Sequence, residues 1–430
     1  MKSNFQIITL VVFIAAAVLG VFVFSGAIPL GNSGSGSSSG TVVLWGTIKS
    51  QTISPLIENF NRSNTSFSLK YEEKSSDTFD SDLLESLASG TGPDMFLLPD
   101  NLVYKYSNKV YVIPYQSVPL SSFRNTFVEA GEVFLNSKGV LALPLAVDPM
   151  VMYYNRNMLD SNGITSPPMY WDEFANLVPV LTQKDQNGSI TKSTVALGQF
   201  SNISNAKEIL ASLFMQSGDP IISENNGEYV SLLSSSTTKY DPSSVLKFYT
   251  DFADPLKTSY SWNKSFPSSS DAFSAEELAF YFGFASELPS LINKNPNQNF
   301  SVASFPQVRN ANFKLTFAHT LGIAISSFSK NQNTAITAAG LLASGDFASK
   351  LASSLGIAPA RRDLLKSAPT DAYSPTFYSS ALYGRSFMDP SPKDTNDIFS
   401  NMIEKVLSGS MTPEQALRDA SAKLGLLLTK

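Results

Sequence analysis

An α/β fold, in at least two lobes and set behind an apolar amino-terminal helix, is what this sequence predicts. Three observations carry the expectation. From Thr41 to Leu98 apolar runs alternate strand–helix–strand–helix–strand, and so short a span implies parallel pairing with right-handed crossovers. After the first 40 of 430 residues roughly 390 remain, more than a single hydrophobic core usually organises. Between Asn4 and Ser25 the chain reads FQIITLVVFIAAAVLGVFVF without a charge; about 20 residues of helix rise roughly 30 Å, the thickness of a bilayer's hydrocarbon core.

Composition removes several function classes. Hydrophobic content of 43% and aromatic content of 11% are those of a folded chain. There are no cysteines, which excludes disulfides, thiolate metal sites, cysteine nucleophiles and a lipid-modified cysteine anchor. His319 is the only histidine, so histidine-rich metal centres are excluded and no cofactor is expected. A formal charge of −5 gives no basic surface for nucleic acid.

The elements follow in order. Residues 1–30 read as a membrane anchor: Lys2 is the only charge before Lys49, which places the amino terminus inside and the rest outside. The apolar stretch is longer than the roughly 7–15 residues of a cleaved signal, although Ser25-Gly26-Ala27 resembles a cleavage site. Residues 31–40 (GNSGSGSSSG) are a flexible linker; Gly36–Gly40 matches G-x-S-x-G, but a serine tract lacks the strand and helix which that motif needs. Thr41–Gly46 is apolar and β-branched, a buried strand. Ser54-Pro55 supplies a helix cap and first-turn proline, with Ile53, Leu56, Ile57 and Phe60 at helical spacing. Phe67–Tyr71 is a second strand. Phe79–Ser89 is a helix with Leu83, Leu84 and Leu87 on one face, stopped by Gly90, and Asp94–Leu98 is a third strand. Ligands of such sheets bind beyond the carboxyl ends of the strands, here Gly46–Ser50, Lys74–Thr78 and Pro99–Asn101.

Further on, Gly139–Tyr154 is extended and nearly uncharged, with Asp148 its only acid. Trp171–Leu181 carries a buried stripe of Trp171, Phe174, Leu177, Val178 and Leu181. Helices are expected over 206–216, 243–252, 335–344, 346–355, 396–407 and 413–424, and a helix ending at 276–278 leads into a strand over 279–284. Strands are expected over 300–305 and 321–326. Asp185–Ser189 resembles a calcium loop, but the twelfth position is Ala196 instead of Glu, so it reads as a turn.

Several motifs, in order, resemble one family. Thr41–Gly46 followed by Pro55–Asn61 resembles the opening of periplasmic-type extracellular solute-binding proteins, the receptors of ABC importers, in the group that includes the maltose-binding proteins. Ala88–Met95 (ASGTGPDM) is similar to its glycine-proline-aspartate turn, and Leu143-Pro144 with Tyr154–Leu159 (YNRNML) to its hinge stretch. Pro167 with Tyr170–Phe174 (YWDEF), Ala279–Leu288 with Ser301–Pro306, and Gly409 with Met411–Leu424 resemble later segments. The resemblance implies a type II, two-lobe periplasmic binding protein-like fold behind the transmembrane helix. Lobe I would be 41–147 plus 320–365 and lobe II 148–319 plus 366–430, with ligand held between them.

Candidate ligand residues combine both readings. Trp45 ends the first strand, where its ring could stack a sugar or cap the lobe core. Lys49, Ser75 and Ser76 lie in polar loops beyond the strands, with solvation as the alternative. By the resemblance Asp100, or equally Asn101, stands where maltose-type receptors bind sugar hydroxyls; helix capping is the other reading. Asp148 intrudes on an apolar hinge strand and aligns with a cleft carboxylate, or makes a structural salt bridge. Trp262, Phe284, Ser286 and Tyr383 supply aromatic and polar groups for the second lobe, although periodicity leaves open which face of the 279–284 strand lines the cleft. Trp171 belongs to the core, and His319 is a structural residue. Leu97-Leu98 and Ala285 stand where the maltose group carries cleft aromatics, which weakens the case for multiple stacking platforms.

The function expected is a monomeric, membrane-tethered extracellular receptor that captures a small polar solute, foremost a carbohydrate, and delivers it to an ABC permease without altering it. A membrane-anchored glycosidase built on paired carboxylates, or a sensory binding module without transport, is the alternative.

Overall fold

The computed structural model describes residues 40–225, 227–235 and 241–429. The expected anchor and all but the last residue of the linker lie outside that range. Among the described residues no helix is long and apolar enough to cross a membrane.

The principal elements run β1 (Thr41–Gly46), α1 (Ser50–Ser63), β2 (Ser68–Glu73), α2 (Phe79–Ser89), β3 (Met95–Pro99), β4 (Leu143–Asn155), α3 (Phe174–Leu181), β5 (Ile190–Val195), α4 (Ala206–Gln216), α5 (Pro242–Asp251), β6 (Leu278–Phe284), β7 (Phe300–Ser304), β8 (Thr316–Ile325), α6 (Gln332–Leu342), α7 (Gly345–Leu355), α8 (Pro392–Leu407) and α9 (Pro413–Leu428). The chain divides into two compact units. The first takes the described residues to Leu97, Lys109–Tyr111 and Ile323–Leu351; the second takes Leu98–Asn108, Val112–Gly322 and Ala352 onward.

In the first unit β1 pairs parallel with β2 (Val42↔Leu69) and with β3 (Trp45↔Phe96), the arrangement its alternating pattern predicts. Ile53, Ile57 and Phe60 form the buried stripe of α1, and Phe60 packs on Phe67 and Phe347. α2 stops at Gly90, which takes φ of 71° while the Thr91 N–H reaches back to the Ser86 carbonyl, a turn that glycine enters without a Cβ penalty. Asp94 is buried at the foot of β3 and accepts from Val43 N (3.0 Å), Ser329 Oγ (2.6 Å) and Asn331 Nδ2 (3.2 Å). Its charge is thereby compensated as buried carboxylates require.

In the second unit β4 is the axis. β6 runs antiparallel to it on one side (Phe284↔Met150) and β7 on the other (Phe300↔Asn155), while β5 joins β6 in parallel. All seven residues of β6 are buried. Its even-numbered face supplies Phe280 and Phe282 to the core around Phe174 and Trp171, and Trp171 donates its Nε1–H to Gln216 Oε1 at 2.7 Å. Tyr281 on the opposite face stacks with Tyr153 and Phe273.

Several boundaries differ from the sequence expectation. α1 begins at Ser50, so Pro55 lies inside it; the proline has no N–H to give the Gln51 carbonyl, and Gln51 is exposed, where water can replace the bond. The helix before β6 ends at Ser274, and Glu276 takes a left-handed conformation (φ 60°) before the strand starts. β8 begins at Thr316, five residues earlier than its apolar run, and therefore contains His319. α8 starts at Pro392 and α9 continues to Leu428.

Candidate functional site

The carboxyl ends of β1 and β2 gather four of the expected residues in the first unit. Trp45 is buried, and Lys74 Nζ lies 3.6 Å from its ring centroid, a cation–π contact that occupies one face. Lys49 is exposed and pairs with Glu73 at 3.1 Å, while the Ser50 N–H donates to the same carboxylate (2.7 Å). Ser75 and Ser76 are exposed; Ser75 Oγ accepts from Asp77 N and its carbonyl from Phe79 N, which starts α2.

The second unit assembles a denser array. Asp100, in the turn after β3, is 2% exposed and accepts from His319 Nδ1 (3.1 and 3.3 Å to its two oxygens) and from Thr320 N (3.2 Å). A carboxylate only accepts, so Nδ1 carries a proton. The His319 ring lies against Phe284 at 4.6 Å between centroids and against Phe317 at 5.1 Å. From β4, Asp148 accepts the Ser286 N–H at 3.0 Å. Glu287, one residue further, accepts from Phe284 N and Asn205 Nδ2 at 2.8 Å each and from the Tyr281 hydroxyl. Gly283 permits this, since a Cβ there would stand 2.5 Å from Tyr281 Cε1.

Asn205 takes a left-handed conformation (φ 60°) at the head of α4, one that asparagine tolerates better than branched residues. It lines a pocket of about 410 Å³ with Phe200, Ser201, Ile203, Ala206, Glu208, Asn396 and Ser400. Behind Glu208, the buried Lys207 pairs with the buried Asp389 at 2.9 Å, and Asp389 also accepts from Thr395 Oγ1. A second cleft of the same unit, about 630 Å³, is bordered by Phe313, Tyr229, Phe387 and the Glu129–Arg385 ion pair; it holds none of the expected residues.

Electrostatics sets the protonation states. Burial pushes the Asp148 carboxyl up to about 6, against the Ser286 hydrogen bonds and the nearby His319 charge, which lower it. Burial opposes a charged His319, but Asp100's charge and hydrogen bond prevail and raise it to about 9. Lys207 is likewise held above its ordinary value: desolvation works against it and the charges of Asp389 and Glu208 outweigh that. At pH 7 the array therefore carries a largely ionised Asp148, an imidazolium at His319 and an ammonium at Lys207. Such a set has the chemistry for charge-assisted hydrogen bonds to a polar solute. Among the described residues no group of three or more histidine or carboxylate side chains could hold a metal.

The remaining expected residues are placed as follows. Asn101 is half-buried, and its Oδ1 has no partner. Trp262 is fully enclosed, stacks on Phe266 at 4.3 Å and donates to Asn202 Oδ1; it braces the loop that carries Ser201 instead of exposing a ring face. Tyr383 is half-buried, bonds Ser380 through its hydroxyl and accepts from Thr316 N at the start of β8. Asp100, Asp148, Phe284 and Ser286 are thus drawn into one array of the second unit. Sequence reasoning missed the participation of His319, Asn205, Glu208 and Lys207. His319 bonds a carboxylate 219 positions away, which no local pattern signals.

Residues 55–376 match the family described as bacterial extracellular solute-binding protein. A binding protein of Brucella abortus (strain 2308) is 25% identical over 116 residues, 26% of this chain and only 28% of that protein's length. Among solved structures, a cyclo/maltodextrin-binding protein complexed with maltotetraose superposes with a TM-score of 0.73 at 18% identity, covering 92% of this chain and 98% of its own. The sugar-binding protein MalE of Xanthomonas citri gives 0.71 at 15% identity, with 90% and 97% covered. The GacH receptor of Streptomyces glaucescens, solved unliganded and with acarbose, gives 0.66 at 16% identity, with 91% and 99% covered. The α/β fold matches that of type II periplasmic binding proteins.

Proposed function

Because the chain belongs to the bacterial extracellular solute-binding proteins, a family defined by holding a solute and not by converting one, we propose that it captures a small carbohydrate for delivery to an ABC permease. The observation that carries the carbohydrate reading is the second unit's array. Asp148, Ser286 and the His319–Phe284 pair combine hydrogen-bonding groups with an aromatic shelf, and the polar pocket at the head of α4 shares Asn205 with the Glu287 network. Alternating hydroxyls and C–H faces are what a sugar offers to such a surface. Structural neighbours holding maltotetraose and acarbose support the same class.

The reading extends to two hinged lobes, 41–147 plus 320–365 and 148–319 plus 366–430, closing on the solute. Closure follows only where ligand makes contacts in the closed state that the open state lacks. Trp45, Lys49, Ser75, Ser76, Asn101, Trp262 and Tyr383 complete the proposed ligand set, in contact or as supports. The apolar run between Asn4 and Ser25, with the linker to Gly40, would tether a monomeric receptor to the membrane beside its permease and raise the local concentration towards ~mM.

The test is a thermal-shift and calorimetric screen of the chain from Thr41 onward against mono- and oligosaccharides, polyols, amino acids and phosphates. A sugar at 100 times its dissociation constant adds about 2.7 kcal/mol of stability. A screen in which only non-carbohydrates bind overturns the substrate class, and recovery of a cleaved sugar overturns the binding role.

A further inference from the structure

The array contains one hydrogen-bonding group that its own contacts do not use. His319 spends Nδ1 on Asp100, and no described residue bonds its Nε2. The side chain is 34% exposed while Asp100's is 3% exposed, so the outer nitrogen is the reachable end of a ring fixed from behind. Phe284 and Phe317 pack against that ring. It can neither swing away nor turn over without giving up the buried carboxylate, whose desolvation would then go uncompensated. A donor immobilised in this way loses little entropy when it is used.

The charges around it decide what it can meet. Asp100 follows β3, Asp148 comes from β4 and Glu208 from α4, and all three carboxylates act on the imidazole. Lys207, the nearby ammonium, is already held by Asp389 and Glu208. Four carboxylates thus surround two cations, so the positive charge of His319 is fully compensated from within. An incoming anion would gain one hydrogen bond against a surplus of negative charge, whereas a hydroxyl or ring oxygen gains the same bond without that repulsion.

We propose that His319 is a ligand-contacting, specificity-determining residue whose Nε2–H, on a ring oriented by Asp100 and backed by Phe284, donates to an uncharged oxygen of the solute and discriminates against solutes that are anionic at that position. This rests on the carbohydrate reading given above and sharpens it to neutral sugars. Asp100 is a positioning residue in this scheme. Since the donor needs only the Nε2 proton, which Asp100 retains well above neutrality, binding holds through the neutral range and weakens in alkali.

The experiment measures dissociation constants of the chain from Thr41 onward for neutral oligosaccharides (maltotetraose and mannobiose among them) and for a uronate disaccharide, at pH 7 to 10. His319→Asn and His319→Phe are compared with wild type. Asparagine can still donate to Asp100 from the near position but cannot reach where Nε2 stood, so the buried carboxylate stays partnered; circular dichroism and a melting curve confirm folding. The expected result is that wild type prefers the neutral sugar, that the Asn variant binds it 10- to 100-fold more weakly, and that wild-type affinity falls more than threefold from pH 8 to 10 while the variant's stays flat. A folded Asn variant with wild-type affinity overturns the assignment, and so does wild-type preference for the uronate, while either result leaves carbohydrate capture standing. A wild-type chain that binds no sugar at all overturns both.

Discussion

A carboxylate held above its ordinary range by burial costs the folded protein stability once it ionises. Asp148 is that residue. Burial lifts it to about 6, which means that the folded state prefers it protonated. The sign follows by linkage: its cost is absent below about pH 4, develops as pH rises towards 6 and is complete at 7. Asp148→Asn keeps an oxygen to accept from Ser286 N and removes the charge. The ligand-free variant should be more stable than wild type by about 1–3 kcal/mol at pH 7.5 and no different at pH 3.5, as read by chemical denaturation. The same variant should bind sugar less tightly. Wild-type stability at both pH values would show that the carboxylate is solvated after all. Neither consequence was legible from the local run LPLAVDPMV, which identified an intruding acid but not the single backbone donor that meets it.

At the level of elements, local signals served where one helix or strand carried its own punctuation. α2 was bounded by its apolar face and Gly90, and α4 by its uninterrupted run from Ala206 to Gln216. They misled where a feature had a second use. Ser54-Pro55 resembled a helix start but sits within α1. His319 broke the apolar pattern of β8 and hid the strand's first half. β6 could not be oriented from its sequence because both its faces are buried. Its one glycine shapes the Glu287 network, since Gly283 leaves room for Tyr281 to reach Glu287. Gly283→Ala should cost about 1–3 kcal/mol through that clash. Gly425→Ala, in the open last turn of α9, should be neutral or stabilising by up to about 1 kcal/mol. Equal effects at the two positions in urea denaturation would show that helix and strand propensity, not the steric contact, governs both.

Taken as a whole molecule, the protein gathers charges from distant parts of its sequence, and its pH response should reflect the sum. His319 has its folded pKa raised from 6.5 to about 9, so its share of stability is fully present below about pH 6.5 and is lost as pH climbs through 9. Asp148 and Asp219, both lifted to about 6 by burial, work in the opposite range, costing stability as pH rises from about 4 to 6. The exposed pairs, such as Arg309 with Asp172 and Glu173, add little because solvent screens them. The melting-temperature gap between wild type and His319→Asn should therefore narrow from pH 7 to pH 10. A gap that stays constant over that interval would remove the His319–Asp100 pair from the stability account. Order of motifs along the chain was enough to identify the family; the interior charge network, built from residues hundreds of positions apart, was invisible to it.

The enclosed ammonium behind the pocket has a consequence for biosynthesis. Lys207 has its closest counter-charge at Asp389, 182 positions downstream. A chain still emerging from the ribosome can complete the strands around β4 long before that aspartate exists. Until it arrives the lysine faces a low-dielectric interior with Glu208, at 3.7 Å, and the charge of Asp100 to offset it. A chain truncated before Asp389 should therefore leave that ammonium incompletely compensated and fold less stably than the full one.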